Sequence, residues 1–145
     1  MKKFIFKLFI ILFLSPIANS SEIKKIVEGD LNAKIKIIVY ESLTCSHCAN
    51  FHKDVYPELK NEFIDTGLAS IEFRNFPLDM AAFNAAKIAH CKNDGNSKIL
   101  HFLYANQSKW VKGKDLSEFN QNLRDLVKDQ NLSLIHISEP TRPQC

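Results

Sequence analysis

Glycine and proline are scarce, four and five in 145 residues, which excludes collagen-like and low-complexity chains. No apolar run reaches the roughly 20 residues a membrane-spanning helix needs. Even the stretch from Phe4 to Leu14 is too short, and Lys7 interrupts it. Charge of one sign is also missing from the body of the chain. Lys2, Lys3 and Lys7 account for the whole formal +3, so Ser21 to Asn131 is balanced and offers no basic footprint for nucleic acid. No internal repeat breaks that segment. No second Cys-x-x-Cys accompanies Cys45-Ser46-His47-Cys48, which leaves a four-cysteine zinc site unsupported. Ala49 rather than His follows the second cysteine, which excludes c-type haem attachment. What is present is 46% apolar residues with 11 Phe, a composition that packs a core.

The two ends are set apart before any reading of the fold. Residues 1–20 have the parts of a cleavable signal peptide: a charged start, the apolar run Leu8 to Leu14, then Ser15-Pro16 and the small-x-small site Ala18-Asn19-Ser20. An uncleaved anchor is the alternative. Export would place the cysteines where disulfides persist. At the other end, Leu132 to Arg142 reads as the in-frame translation of a transposon-based sequencing adapter, so residues 132–145 are expected not to be native and Cys145 leaves the cysteine count. The domain to be folded is then 21–131.

Within it, Lys34 to Tyr40 starts as an alternating strand and becomes continuously apolar, as a central strand covered on both faces does. Thr44 is a candidate cap for the next helix, with Cys45 in its first turn. Phe51, Val55, Leu59 and Phe63 recur every four residues as its core face, Pro57 should kink it, and Gly67 is its natural stop. Ala69 to Arg74 alternates as a second strand, and strand, helix, strand in so short a span predicts a parallel crossover. From Asp79 the period is helical. Met80 to Cys91 closes at Asp94-Gly95, Ser97 to Gln107 follows, and Asp115 with Glu118 opens a helix through Leu116, Phe119, Leu123, Leu126 and Val127. No later strand precedes Asn131.

Two thiols two residues apart at a helix start suit a reversible pair better than a staple, because so short a loop gives little chain-entropy stabilisation. Cys45, at the positive end of the helix dipole, should be the attacked sulfur, and Cys48, one turn deeper, the resolving thiol. His47 between them can add positive charge or a hydrogen bond that favours the Cys45 thiolate. A zinc reading would draw on His52, His90 or Cys91, and a structural Cys45–Cys48 disulfide is a further alternative. His52 reads as a surface side chain, Cys91 as a small buried one, and Tyr104 and Trp110 as cover for the helical block. No cofactor, cofactor-binding residue or metal ligand is assigned.

Gly29-Asp30, the strand ending at Tyr40, Ser42-Leu43-Thr44-Cys45-Ser46-His47-Cys48, and Phe73-Arg74-Asn75-Phe76-Pro77-Leu78-Asp79 before an Ala-rich helix follow one another in an ordered pattern. This pattern resembles the DsbA-like branch of the thioredoxin superfamily over residues 28–131. The resemblance implies an α/β fold: a thioredoxin-like βαβ start, a helical insertion from about residue 79, and C-terminal strands missing from this chain. It implies an exported, periplasmic thiol:disulfide oxidoreductase that passes the Cys45–Cys48 disulfide to reduced or unfolded secreted proteins and is reoxidised by a membrane quinone-linked partner. By that analogy Cys45 is the nucleophile, Cys48 its partner, and His47 matches. Ser46 stands where the family commonly has Pro. Val39 stands where a buried acid is common, and Glu41, on the same strand face, is not assigned that role. The family's cis-proline loop has no counterpart, since Pro77 precedes the insertion. Disulfide reduction, isomerisation, and a non-enzymatic metal or thiol-binding module remain the competing readings. Without later strands the sheet should have an open edge and a tendency to aggregate.

Overall fold

The computed structural model describes residues 22–130. The signal-peptide and adapter readings fall on residues outside that range.

A three-stranded sheet organises the rest, in the order β1, β3, β2. β1 (Ile26–Gly29) runs antiparallel to β3 (Ala69–Asn75), with Ile26 opposite Phe73 and Glu28 opposite Ile71. β2 (Ile35–Glu41) runs parallel to β3, pairing Ile37 with Ile71, Val39 with Phe73 and Glu41 with Asn75. The parallel pairing is the crossover the sequence predicts; β1 is an element the sequence reading missed. The central strand is β3, with Ala69, Ile71 and Phe73 in the core. β2 is not covered on both faces. Ile37, Val39 and Glu41 turn toward the helices, while Ile38 and Tyr40 are exposed, because no described element packs on that face. Gly29 (φ +90) lies so close to β3 that a Cβ there would stand 2.7 Å from the Ala69 carbonyl oxygen.

Helix α1 occupies 46–64 and joins β2 to β3. It opens as an α-helix (Ser46–Asn50), widens to a π-turn (Phe51–Val55), returns to α (Tyr56–Leu59) and widens again (Lys60–Ile64). Pro57 sits just past the first widening, where its missing N–H and its ring disrupt the regular ladder. Each π-turn takes up more residues than an α-turn, so the inward face shifts phase. His52, Tyr56 and Ile64 are buried, Phe51 and Leu59 are half-buried, and Val55 and Phe63 are exposed, which corrects the face predicted from four-residue spacing. Gly67 (φ +76) ends the helix as expected, its N–H donating to the Ile64 carbonyl.

The helical block begins with α2 (Met80–Ala89), whose N-cap Asp79 accepts a hydrogen bond from the Ala82 N–H at 2.7 Å. Its alanines are part of the buried core, and the helix packs against the two longer helices that follow it. α3 (Lys98–Ala105), α4 (Gln107–Trp110) and α5 (Leu116–Val127) follow. Asp115 caps α5 by accepting from the Glu118 N–H, while the Glu118 carboxylate accepts from Lys114 rather than closing the box on residue 115. Leu100, Leu103, Leu123, Val127 and Trp110 are wholly buried. Each contributes about 1.5–3 kcal/mol by leaving water. Trp110 is the cover residue its sequence context suggests, donating its indole N–H to the Leu103 carbonyl at 3.1 Å. Cys91, just past α2, is half-buried against this core.

Candidate redox site

The cysteines stand where β2 hands over to α1. Cys45 is the N-cap residue, with extended backbone (φ −77, ψ 118), and His47 and Cys48 lie in the first turn. The turn before it is fixed from three sides. The Cys45 N–H donates to the Ser42 carbonyl, the Gln107 side-chain amide donates to the carbonyls of Leu43 (2.8 Å) and Cys45 (3.0 Å), and the Leu78 N–H donates to Ser42 Oγ. Thr44 does not cap the helix. Its hydroxyl donates to Asp79 Oδ2 at 2.7 Å, so one carboxylate both caps α2 and holds the active-site turn.

Both sulfurs are half-buried thiols, and their environments differ. The Cys48 S–H and the backbone N–H groups of Cys48 and His47 all favour a thiolate on Cys45 and lower its pKa, against a smaller opposing effect of burial. Burial pushes the Cys48 thiol up, and the neighbouring charges of Cys45 and Glu41 add to it, only partly offset by a hydrogen bond from the Ser42 backbone. One thiol is thus poised to ionise and the other to stay protonated. His47 is exposed, and it is its backbone N–H that meets Cys45.

Next to the pair lies a set of residues to which the sequence reading gave no part in the redox site. Glu41 is 2% exposed and His52 9%, joined at 2.7 Å. His52 is therefore not a surface residue; its partner makes burial tolerable. His52 Nδ1 lies 3.0 Å from His101 Nδ1, and His101 Nε2 lies 2.7 Å from Glu28 Oε1. The Tyr104 ring stacks on His52 at 4.0 Å between centroids, and Tyr56 on His101 at 4.5 Å. Tyr104 thus borders the site as well as covering the helical block. Its hydroxyl and Glu41 Oε1 are enclosed with no well-formed hydrogen bond, yet near enough to interact electrostatically. The one sequence signal for Glu41 was its alternation with Val39; for His101 there was none.

The zinc reading finds little support in this geometry. His52 is engaged by Glu41 and His101, His90 Nε2 by Asn75 Nδ2 at 2.8 Å, and among the described residues no group of three His, Cys, Asp or Glu side chains is arranged to hold a metal ion.

Comparison with known proteins agrees with this geometry. The family model described as Thioredoxin matches residues 21–141. A Rickettsia conorii protein named as a protein-disulfide oxidoreductase is 31% identical over 105 residues, which is 71% of this chain and 35% of that protein. The chain therefore spans about a third of the length of such curated relatives. The crystal structure of alpha-DsbA1 from Wolbachia pipientis superposes with a TM-score of 0.66 at 33% identity, covering 84% of this chain and 59% of that one. A protein-disulfide isomerase from Novosphingobium aromaticivorans, at 19% identity and a TM-score of 0.58, shares the fold. The sheet, the cysteine pair at the first turn of α1, the helical insertion after β3 and these matches together place the chain in the thioredoxin family, within its DsbA-like branch.

Proposed function

We propose that this chain carries the redox centre of an exported thiol:disulfide oxidoreductase that donates the Cys45–Cys48 disulfide to reduced or unfolded secreted proteins. The observation that carries the reading is the placement of the pair: Cys45 is the N-cap residue of α1 and Cys48 lies within its first turn, so that a thiolate is favoured on Cys45 and disfavoured on Cys48. A stabilised thiolate is a good leaving group and stabilises the reduced form, which makes the disulfide oxidising. In this reading a substrate thiolate attacks Cys45, a mixed disulfide forms, and the substrate's second thiol releases the reduced chain. His47 contributes a backbone N–H to the Cys45 thiolate, and its imidazole adds positive charge when protonated. The names of the relatives support thiol–disulfide exchange. Periplasmic location and a quinone-linked membrane partner that restores the disulfide belong to the same proposal, resting on the leader-like start of the chain and the family likeness.

Trapping tests it. Cys48→Ala, reacted with a substrate protein whose thiols have been activated as mixed disulfides with a small thiol, should accumulate a covalent complex as the Cys45 thiolate displaces the small thiol, while Cys45→Ala should form none. Equal trapping by both variants, or by neither, would remove the assignment. Equilibration of the wild-type pair against glutathione then separates oxidant from reductase: an oxidant comes to equilibrium largely reduced.

A further inference from the structure

The redox turn is held from two sides by residues of the helical insertion. Gln107, the first residue of α4, gives both hydrogens of its side-chain amide to the turn, one to the Leu43 carbonyl at 2.8 Å and one to the Cys45 carbonyl at 3.0 Å. Carbonyl oxygens only accept, so the amide has one usable orientation here, and a single NH2 satisfies two acceptors that lie two residues apart. The Cys45 carbonyl also takes the Ala49 N–H at the start of α1. Gln107 therefore grips the residue at which extended chain turns into helix.

On the other side stands Asp79. Its Oδ1 accepts the Ala82 N–H as the cap of α2, and its Oδ2 accepts the Thr44 hydroxyl at 2.7 Å. A carboxylate offers no proton in return, so the one Thr44 hydroxyl proton is committed to it. Ser42 is then the donor in the 3.2 Å contact between the Ser42 and Thr44 hydroxyls, and Ser42 Oγ in turn accepts the Leu78 N–H. The donors run in one direction, from residue 78 through 42 and 44 to 79, and close on the segment they left. One residue earlier in the turn, the Glu41 carbonyl accepts the Phe76 N–H at 2.7 Å.

The turn held in this way reaches both sulfurs. The Cys45 N–H donates to the Ser42 carbonyl at 3.0 Å, and the Ser42 backbone gives a hydrogen bond to Cys48. Cys45 has the extended angles of an N-cap residue, the position from which a side chain meets the unpaired N–H groups of the first turn. There the Cys48 S–H and the backbone N–H groups of Cys48 and His47 favour a thiolate on Cys45. A Cys45 that rotated out of this conformation would lose them.

We propose that Gln107 and Asp79, one from the middle of the helical insertion and one from its start, are positioning residues for thiol–disulfide exchange: they clamp the 42–45 turn between them and keep Cys45 in the N-cap conformation of α1. This rests on the exchange reaction proposed above. Both residues act on the turn rather than on the reacting sulfurs.

The test is the pH profile of alkylation at Cys45 in the reduced full chain, read as the midpoint at which the rate reaches half its alkaline plateau. Losing a group that holds a helix cap commonly costs a factor of about five in the equilibrium. Gln107→Ala and Asp79→Ala should therefore each slow Cys45 alkylation about fivefold on the acid side of the midpoint and converge with wild type on the plateau. Gln107→Glu keeps the shape but, once ionised, meets two carbonyls with no donor, and should slow the reaction further. Asp79→Asn is the rescue. Its oxygen can cap α2 while its NH2 donates to Thr44, whose proton turns to Ser42, so the midpoint should not rise. Loss of the Asp79 charge acting through space would instead move Asp79→Asn and Asp79→Ala together, toward easier ionisation. That result, or an unmoved midpoint in both Gln107 variants, would overturn the clamp. In the unsubstituted chain, NMR couplings across the hydrogen bonds from the Gln107 amide to the Leu43 and Cys45 carbonyl carbons should be present; a freely rotating amide would refute the grip without any variant having to fold. An ordinary free-thiol midpoint in wild type would count against the exchange reaction and take the clamp's role with it, whereas a lowered midpoint shared by wild type and every variant would strike the clamp alone.

Discussion

Replacing Glu28 by Gln should remove an acid-labile share of stability. Burial alone would raise the Glu28 pKa, yet hydrogen bonds from His101, Ser97 and Tyr56, with the His101 charge, bring it from an ordinary 4.5 down to about 2. The folded state therefore binds the Glu28 anion better than the unfolded state does. For a carboxyl with a depressed pKa the stabilisation is fully present above the unfolded value and disappears as pH falls through the folded one. At about 1.4 kcal/mol per tenfold change in proton affinity, the drop from 4.5 to about 2 corresponds to at most about 3.5 kcal/mol, which solvent screening of the partly exposed carboxylate reduces. Urea unfolding followed by circular dichroism across the acid range should show wild type more stable than Glu28→Gln by about 2–3 kcal/mol near neutrality. The two curves should converge between about pH 4.5 and pH 2, where protonation removes the advantage. Parallel curves over that range would refute the reasoning, since the lost stability would then not belong to Glu28.

The shifted face of α1 predicts that Val55→Ser, at an exposed position, changes stability by less than about 0.5 kcal/mol, whereas Ile64→Ala costs about 2–4 kcal/mol in the same urea assay. Equal costs would restore the regular four-residue face. Gln107→Ala removes the donor to the Leu43 and Cys45 carbonyls and should cost about 1–2 kcal/mol. It should also speed hydrogen exchange of the amides in the 42–45 turn; unchanged exchange would show that Asp79 and Ser42 hold the turn without it.

Where the sequence was readable, the signals were local. β2 and β3 announce themselves by alternation, Asp79 and Asp115 cap their helices, and the cysteine pair falls on the first turn of α1. β1 was missed because Ile26–Gly29 offers four residues with no apolar/polar alternation to read; its place depends on pairing with β3. Thr44 has the chemistry of a cap, but a stronger acceptor, Asp79, reaches it from 35 residues away. The core face of α1 was misplaced because the four-residue rule assumes a regular helix, and two π-turns break that regularity. Glu41, His52 and His101 were undervalued for a related reason. Charged and polar residues default to the surface unless paired, and these partners lie 11 and 49 residues apart in sequence. The exposed outer face of β2, with Ile38 and Tyr40, likewise departs from its central-strand pattern, in a chain spanning about a third of its curated relatives.

The most direct test of the central claim is a pH titration of alkylation at each cysteine of the reduced chain, resolved by peptide mass spectrometry. The account predicts that Cys45 is modified well below the roughly 8.5 at which a free thiol ionises, while Cys48 resists modification until well above it. Co-titration of the two thiols near that value, or earlier reaction at Cys48, would contradict the asymmetry on which the proposed chemistry stands.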